Sequence, residues 1–287
     1  MATELDQGWT GEGVTIGQVE GELAKLRAAI DGQNLRTSVM THIAWVPERW
    51  RDAAVATLAG MAERHPSRTI LLVPDPDAGE SRIDARLSLE RFALGGAHIS
   101  SEVIELRLLG ARTHAPASVV APLLVSDLPV FCRWRGEPPW GAPEWEQLVD
   151  VIDRLVVYSG EWDDLPYAYT KLAAVLERTA VSDIAWSRTL DWRRALAGLW
   201  PAIGEAGRLR IRGPQADALL LAGWLRTRLG LELELDWAEA ETVTEVAVDG
   251  TEVAPPRGQV PDASDLLSAE LDHFGHDRIY EETIRGF

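Results

Sequence analysis

RLRIRG (208–213), GPQADALLLAGWLRTRLG (213–230) and LELELDW (231–237) decide the fold class of this chain. The first segment alternates arginine with Leu209 and Ile211, the period-two pattern of a half-buried strand. In the second, Gly213-Pro214 opens a helix, Ala218, Ala222, Leu225 and Leu229 lie near one face, and Gly230 closes it. The third alternates leucine with Glu232, Glu234 and Asp236. A strand, a crossover helix and a second strand set the two strands parallel and side by side. The row Arg208, Arg210 and Arg212 is then expected to face the row of acids. Such cross-strand pairs contribute a few tenths to about 1 kcal/mol each, less when exposed. The plainer alternative is two independent solvated faces.

Outward from this unit, Asp249-Gly250 signals a hairpin turn, and Asp262 or Ser264 caps a helix carrying Leu267 and Leu271. Upstream, Thr189 to Trp200 form a Trp-rich helix, and a break follows at 201–207. Further toward the N-terminus, strand and helix signals alternate. Val19, Leu23, Leu26 and Ile30 mark an amphipathic helix, and RTSVMTHIAWV (36–46) is β-rich. Pro47 and Glu48 begin a helix with Trp50, Ala54, Leu58 and Met61 on one stripe, and His65-Pro66 ends it. TILLV (69–73) reads as a strand covered on both faces. Leu87 and Leu89, then Ile104, Leu106 and Leu108, alternate as half-buried strands. VVAPLLV (119–125) is a helix or turn before the strand PVFCRW (129–134); an apolar run at 151–158 and a helix with Tyr169, Leu172 and Leu176 follow. The pattern predicts an α/β protein: a flexible tail at 1–16, an N-terminal mixed-sheet domain at 17–178 and a smaller C-terminal α/β domain at 179–287.

Composition narrows the function. The net charge is −17, from 28 Lys and Arg against 45 Asp and Glu, which opposes a phosphate backbone and favours a basic protein surface. No apolar run reaches the length of a membrane span, and the N-terminus lacks the apolar core of a signal peptide. With Cys132 alone there is no internal disulfide, as suits the cytoplasm. Lys25 and Lys171 are the two lysines, and neither lies in a phosphate-binding glycine loop.

Catalytic and cofactor motifs are sparse. Gly11, Gly13 and Gly17 suggest a dinucleotide loop, but no strand is read before them. Asp75, Asp77 and Gly79 begin like a calcium loop, yet Arg86 stands where the closing Glu belongs. His273 and His276 are read as a helix end with Asp277 as the next N-cap, not as metal ligands. Cys132 is read as a buried small hydrophobe. His65, Ser67 and Arg68 offer cationic and hydroxyl groups to a phosphorylated ligand; their plainer role is a helix stop and strand start. Neither cofactor nor metal is expected. Paired acids stay open as a route to catalysis, because 45 carboxylates make any pairing easy.

Taken in order, several blocks resemble one bacterial family. They are SVMTHIAWV after Arg36, His65 to Arg68 before TILLV, SRIDA (81–85), SEVIELRL (101–108), DLPV (127–130), SDIAWSR (182–188) with Asp191-Trp192-Arg193, and Leu267 to Leu271 through Asp277 to Tyr280. The chain resembles the glucose-6-phosphate dehydrogenase assembly proteins, OpcA, over about residues 17–285. The resemblance implies a non-catalytic, cytoplasmic partner of glucose-6-phosphate dehydrogenase that promotes its assembly or active state. An aromatic and arginine cluster is the expected docking patch, with Trp134, Arg135, Trp140 and Trp145 first and Trp192 and Arg193 second; ordinary packing is the other reading of all six. A sugar-phosphate-sensing protein using His65, Ser67 and Arg68 is the alternative function.

Overall fold

A computed structural model describes residues 4–29, 34–35, 38–61, 64–94, 97–256 and 262–287. It divides into two compact units, 1–155 and 156–287.

The first unit comprises β1 (Glu4–Gly11), α1 (Ile16–Ala29), β2 (Asn34–Leu35), β3 (Thr41–Trp45), α2 (Arg51–Met61), β4 (Arg68–Asp75), β5 (Ile83–Leu94), β6 (Ala97–Leu109), α3 (Pro116–Val120), β7 (Val130–Trp134) and α4 (Pro143–Val149). The division of the chain falls within β8 (Arg154–Val157). Its strands run in the order β1-β5-β6-β4-β3-β7, with β2 beside β6. β6, β4, β3 and β7 are mutually parallel, whereas β5 is antiparallel to both β6 and β1. This is the mixed sheet of an α/β protein. TILLV lies within β4 and is buried on both faces, so its apolar run needs no alternation. On β5 and β6, Leu87, Leu89, Ile104, Leu106 and Leu108 are buried, as their spacing predicts.

One expectation fails here. Residues 4–11 are not a tail but the edge strand β1, paired with β5 from Glu4↔Arg91 to Gly11↔Ala85. A strand therefore does lead into this stretch: Gly11 ends β1, Gly13 lies in the loop and Gly17 is in the first turn of α1. Even so, the loop's amides are engaged: Gly13 N–H donates to Asp84 Oδ1 at 2.9 Å. Thr15 Oγ1 and the Gln18 side chain close the start of α1. Asp84 thus takes up a loop amide that a phosphate-binding loop would keep free for its ligand.

The second unit contains α5 (Tyr167–Val175), β9 (Ala180–Asp183), α6 (Ile184–Arg188), α7 (Leu190–Ala197), β10 (Arg208–Arg212), α8 (Gln215–Leu229), β11 (Glu234–Ala238), β12 (Glu245–Val248), β13 (Thr251–Glu252), α9 (Ala263–Leu271) and α10 (Arg278–Arg285). Its four-stranded sheet runs β11-β10-β12-β13. β10 and β11 are parallel neighbours with Arg208 opposite Glu234 and Arg210 opposite Asp236. Both guanidinium groups meet their partners, at 3.0 and 3.2 Å, so the charged rows do face each other. Arg212 lies opposite Ala238, which leaves that end of the row without an acid on β11. The other face of β10, Leu209 and Ile211, joins Ala218, Leu221, Ala222 and Leu225 of α8 in the core. Gly230 ends α8 in the left-handed conformation (φ 66°), as the sequence predicts. Asp249 (φ 48°) and Gly250 (φ 85°) form the turn between β12 and β13, the paired positive values of a tight hairpin. Asp262 and Asp277 cap α9 and α10 by accepting amide hydrogen bonds.

Candidate functional site

In the first unit, β3 is followed through α2 by β4 on one side, while β6 leads through α3 to β7 on the other. The carboxyl ends of β3 and β7 thus mark a topological switch point, where open α/β sheets commonly bind ligands. Here that place is filled by indoles. Trp45 and Trp134 end the two strands opposite each other and stack with centroids 4.8 Å apart and an 8° interplanar angle. Trp145 of α4 meets Trp134 edge-on at 5.0 Å, and Trp140 meets Trp145 edge-on at 5.3 Å. Nearby, the guanidinium groups of Arg49 and Arg135 lie 4.0 and 5.1 Å from the Trp50 ring. Gly136 (φ 82°) passes so close to Trp50 that a Cβ there would sit 2.7 Å from the ring.

The expected patch is therefore layered. Trp134 and Trp145 are 2% and 1% exposed and belong to the core, while Arg135 and Trp140 keep partial exposure above them. The Pro- and Gly-rich context of 136–143 suggests an exposed stretch, but β7 is buried along its whole length and α4 folds Trp145 back onto it.

In the second unit, Trp192 is also core, 7% exposed among Leu196, Ile203 and Leu209. Arg193 is half-buried; its guanidinium lies 3.4 Å from the Trp186 ring centroid and donates to the Trp186 carbonyl at 3.0 Å. Burial lowers the Arg193 pKa to about 10, against the opposing pull of Asp277. The Trp186 indole N–H donates to Asp277 at 2.8 Å, and Tyr280 packs against the same ring. Three blocks that looked separate in sequence, 182–188, 191–193 and 277–280, thus pack on one another.

Next to them lies a buried polar group that the sequence did not single out. Asp183 accepts from the amides of Ser159 and Ala185, and burial raises its pKa to about 6. Asp217, on α8, is raised to about 7, chiefly by burial and against the influence of Arg188. They are 0% and 2% exposed, so this closed arrangement gives no substrate access to either carboxylate.

His65 and Ser67 are buried and line a cavity of about 400 Å³ between α2 and the sheet. Arg68 points elsewhere: it binds Glu102 at 2.7 Å and the Leu123 carbonyl at 2.7 Å. Burial opposes the Glu102 charge, but Arg27 and Arg68 overcome it and hold its pKa below the ordinary value. The three residues expected to share one ligand are split between two faces of the sheet.

Cys132 is fully buried, and burial pushes its thiol up to about 12. His273 and His276 turn their Nδ1 atoms to the Ala269 carbonyl (2.8 Å) and to Glu281 (2.5 Å). Among the described residues no group of three or more His, Cys, Asp or Glu is placed to hold a metal ion. No helix among them is long and apolar enough to cross a membrane.

Fold and site together define a two-unit α/β protein whose switch point is packed with tryptophan. Family models resolve the class further. The glucose-6-phosphate dehydrogenase subunit N-terminal domain (OpcA) matches residues 59–174, and the corresponding C-terminal domain matches 179–259. The chain belongs to the OpcA family and is related to glucose-6-phosphate dehydrogenase assembly. No curated protein matches it.

Proposed function

We propose that the chain is a non-catalytic partner of glucose-6-phosphate dehydrogenase. It binds the enzyme in the bacterial cytoplasm and favours its active state, and so acts on the oxidative pentose phosphate pathway. The single observation that carries this reading is the pair of family matches, which together extend over residues 59–259. To favour an active state, the chain must bind that state better than the inactive one. A coupling of 1–3 kcal/mol changes substrate affinity by about 5–150-fold.

The surface chemistry suits such a role. Of the six expected docking residues, Arg135 and Trp140 in the first unit and Arg193 in the second retain exposure. Trp140 and Arg193 stand on the buried Trp145 and Trp186, and Arg135 lies over the partly buried Trp50. In the second unit Trp200 is 66% exposed beside the partly exposed Leu199, and an exposed indole is a frequent interface anchor. The test is a substrate titration of the dehydrogenase with and without the chain. The expected result is higher affinity for substrate or higher turnover, weakened by Trp140→Ala, Arg193→Ala or Trp200→Ala. An identical titration curve with and without saturating chain overturns the proposal.

A further inference from the structure

The cavity between α2 and the sheet has an unusual construction. A helix that covers a sheet normally meets an apolar face. Toward the carboxyl ends of the strands this holds, where Ala54 and Trp50 pack on Ala44, Val46, Leu71 and Val73. Toward the amino ends the same sheet face carries Ser67 just before β4, Thr69 of β4, Ser88 of β5, Ser101 of β6 and His42 of β3. The register sets His42 beside Thr69, Thr69 beside Val103, and Val103 beside Ser88, so these groups form one continuous floor. The apolar side chains of α2, Val55, Leu58 and Met61, span it without filling it. The space left is about 400 Å³, within the usual range for small-molecule sites.

The floor is polar and neutral. His42 is 1% exposed, and burial, aided by Arg133 and His65, lowers its pKa to about 4, so its imidazole carries no charge at neutral pH. Its Nε2 has no hydrogen-bond partner. A buried polar atom without a partner is costly, and here it borders a space that a ligand can enter. Hydroxyls and neutral imidazoles both donate and accept, which matches ligand hydroxyls and not a buried charge. At the rim, Arg51 is neutralised by Glu105 at 2.6 and 2.8 Å. Arg86, directly across from Glu105 on β5, is exposed and makes no ion pair among the described residues.

We propose that this cavity binds a small hydroxylated organic anion of the sugar-phosphate class. Its hydroxylated body lies on the Ser, Thr and His42 floor under the apolar side of α2. Its anionic end meets Arg86 at the rim. This binding needs only the first unit and is independent of whether the chain engages the dehydrogenase.

Thermal-shift titration of the full chain tests it, with glucose 6-phosphate, glucose and inorganic phosphate as probes. Two variants are compared, Arg86→Ala at the rim and Ala59→Trp, which places an indole across the mouth from an exposed helix position. Both positions are exposed, and the ligand-free melting curve of each variant verifies that it folds. The expected result is a saturable shift with glucose 6-phosphate and none with inorganic phosphate. Arg86→Ala should weaken binding about 10- to 100-fold, the loss of one charge-assisted contact, and Ala59→Trp should abolish it. No saturable shift at millimolar sugar phosphate, an equal shift from inorganic phosphate, or undiminished binding in either folded variant overturns the proposal.

Discussion

Replacing Asp217 with asparagine should make the chain more stable at alkaline pH while changing little at acidic pH. The carboxyl is 2% exposed, its Oδ1 has no partner, and its Oδ2 lies 3.9 Å from Arg188 Nε, too far for a hydrogen bond. Burial raises its pKa from 3.8 to about 7, and the charge of Asp183 adds to the rise. Because the folded value lies above the unfolded one, the native state holds an extra proton between about pH 4 and pH 7. The resulting stabilisation is fully present below about pH 4 and is lost as the pH rises through about 7. The gap between the two values sets an upper bound of roughly 4 kcal/mol. Relaxation and water penetration reduce this to about 1–3 kcal/mol. Asparagine does not titrate, so its effect relative to wild type should become more favourable by that amount between pH 4 and pH 8. At about 2–4 °C per kcal/mol, calorimetric scans at the two pH values resolve the difference. A constant cost of burying the amide cancels when the two pH values are compared. If instead Asp217→Asn is destabilising and more so at pH 8, the carboxylate is ionised and paired with Arg188, and the burial argument is wrong. Asp183, raised to about 6, leaves a residual slope of the same sign in the variant.

Trp134→Ala should cost about 3–5 kcal/mol in chemical denaturation, because it removes the ring between Trp45 and Trp145; a loss under 1 kcal/mol would contradict its core role. A double-mutant cycle on Arg210 and Asp236 should give a coupling of a few tenths to about 1 kcal/mol that fades in high salt, since both side chains are about half exposed. Asp277→Ala should cost more than the about 1 kcal/mol of an ordinary cap, because the carboxylate also accepts from Trp186 Nε1; the difference should vanish in a Trp186→Phe background. In native protein, Cys132 should react with thiol reagents only as fast as the first unit opens, its thiol being buried and shifted to about 12.

Much of the second unit was legible because its local signals agree. Alternation in β10 and β11, Pro and Gly at the two ends of α8, and Asp249-Gly250 at the hairpin each point to the same βαβ and hairpin plan. The facing charge rows followed from the crossover alone. β1 was not legible, since ELDQGWTG lacks alternation and owes its strand conformation to the long partner β5. The tryptophans were ambiguous for a different reason: one residue type serves both as core filler and as interface anchor. Only the burial of β7 on both faces places Trp134 in the first role. His65 to Arg68 straddle a strand start, where alternation sends Ser67 to the cavity and Arg68 to Glu102. The cavity needs four segments in register and leaves no local signal in the sequence.

Association with the dehydrogenase is the most direct test of the functional account, and sedimentation velocity of the two purified proteins measures it. A complex that sediments faster than either component, at a defined stoichiometry and near micromolar concentrations, is the predicted result. Independent sedimentation of the two proteins at every ratio, with and without the enzyme's substrate, would contradict the account.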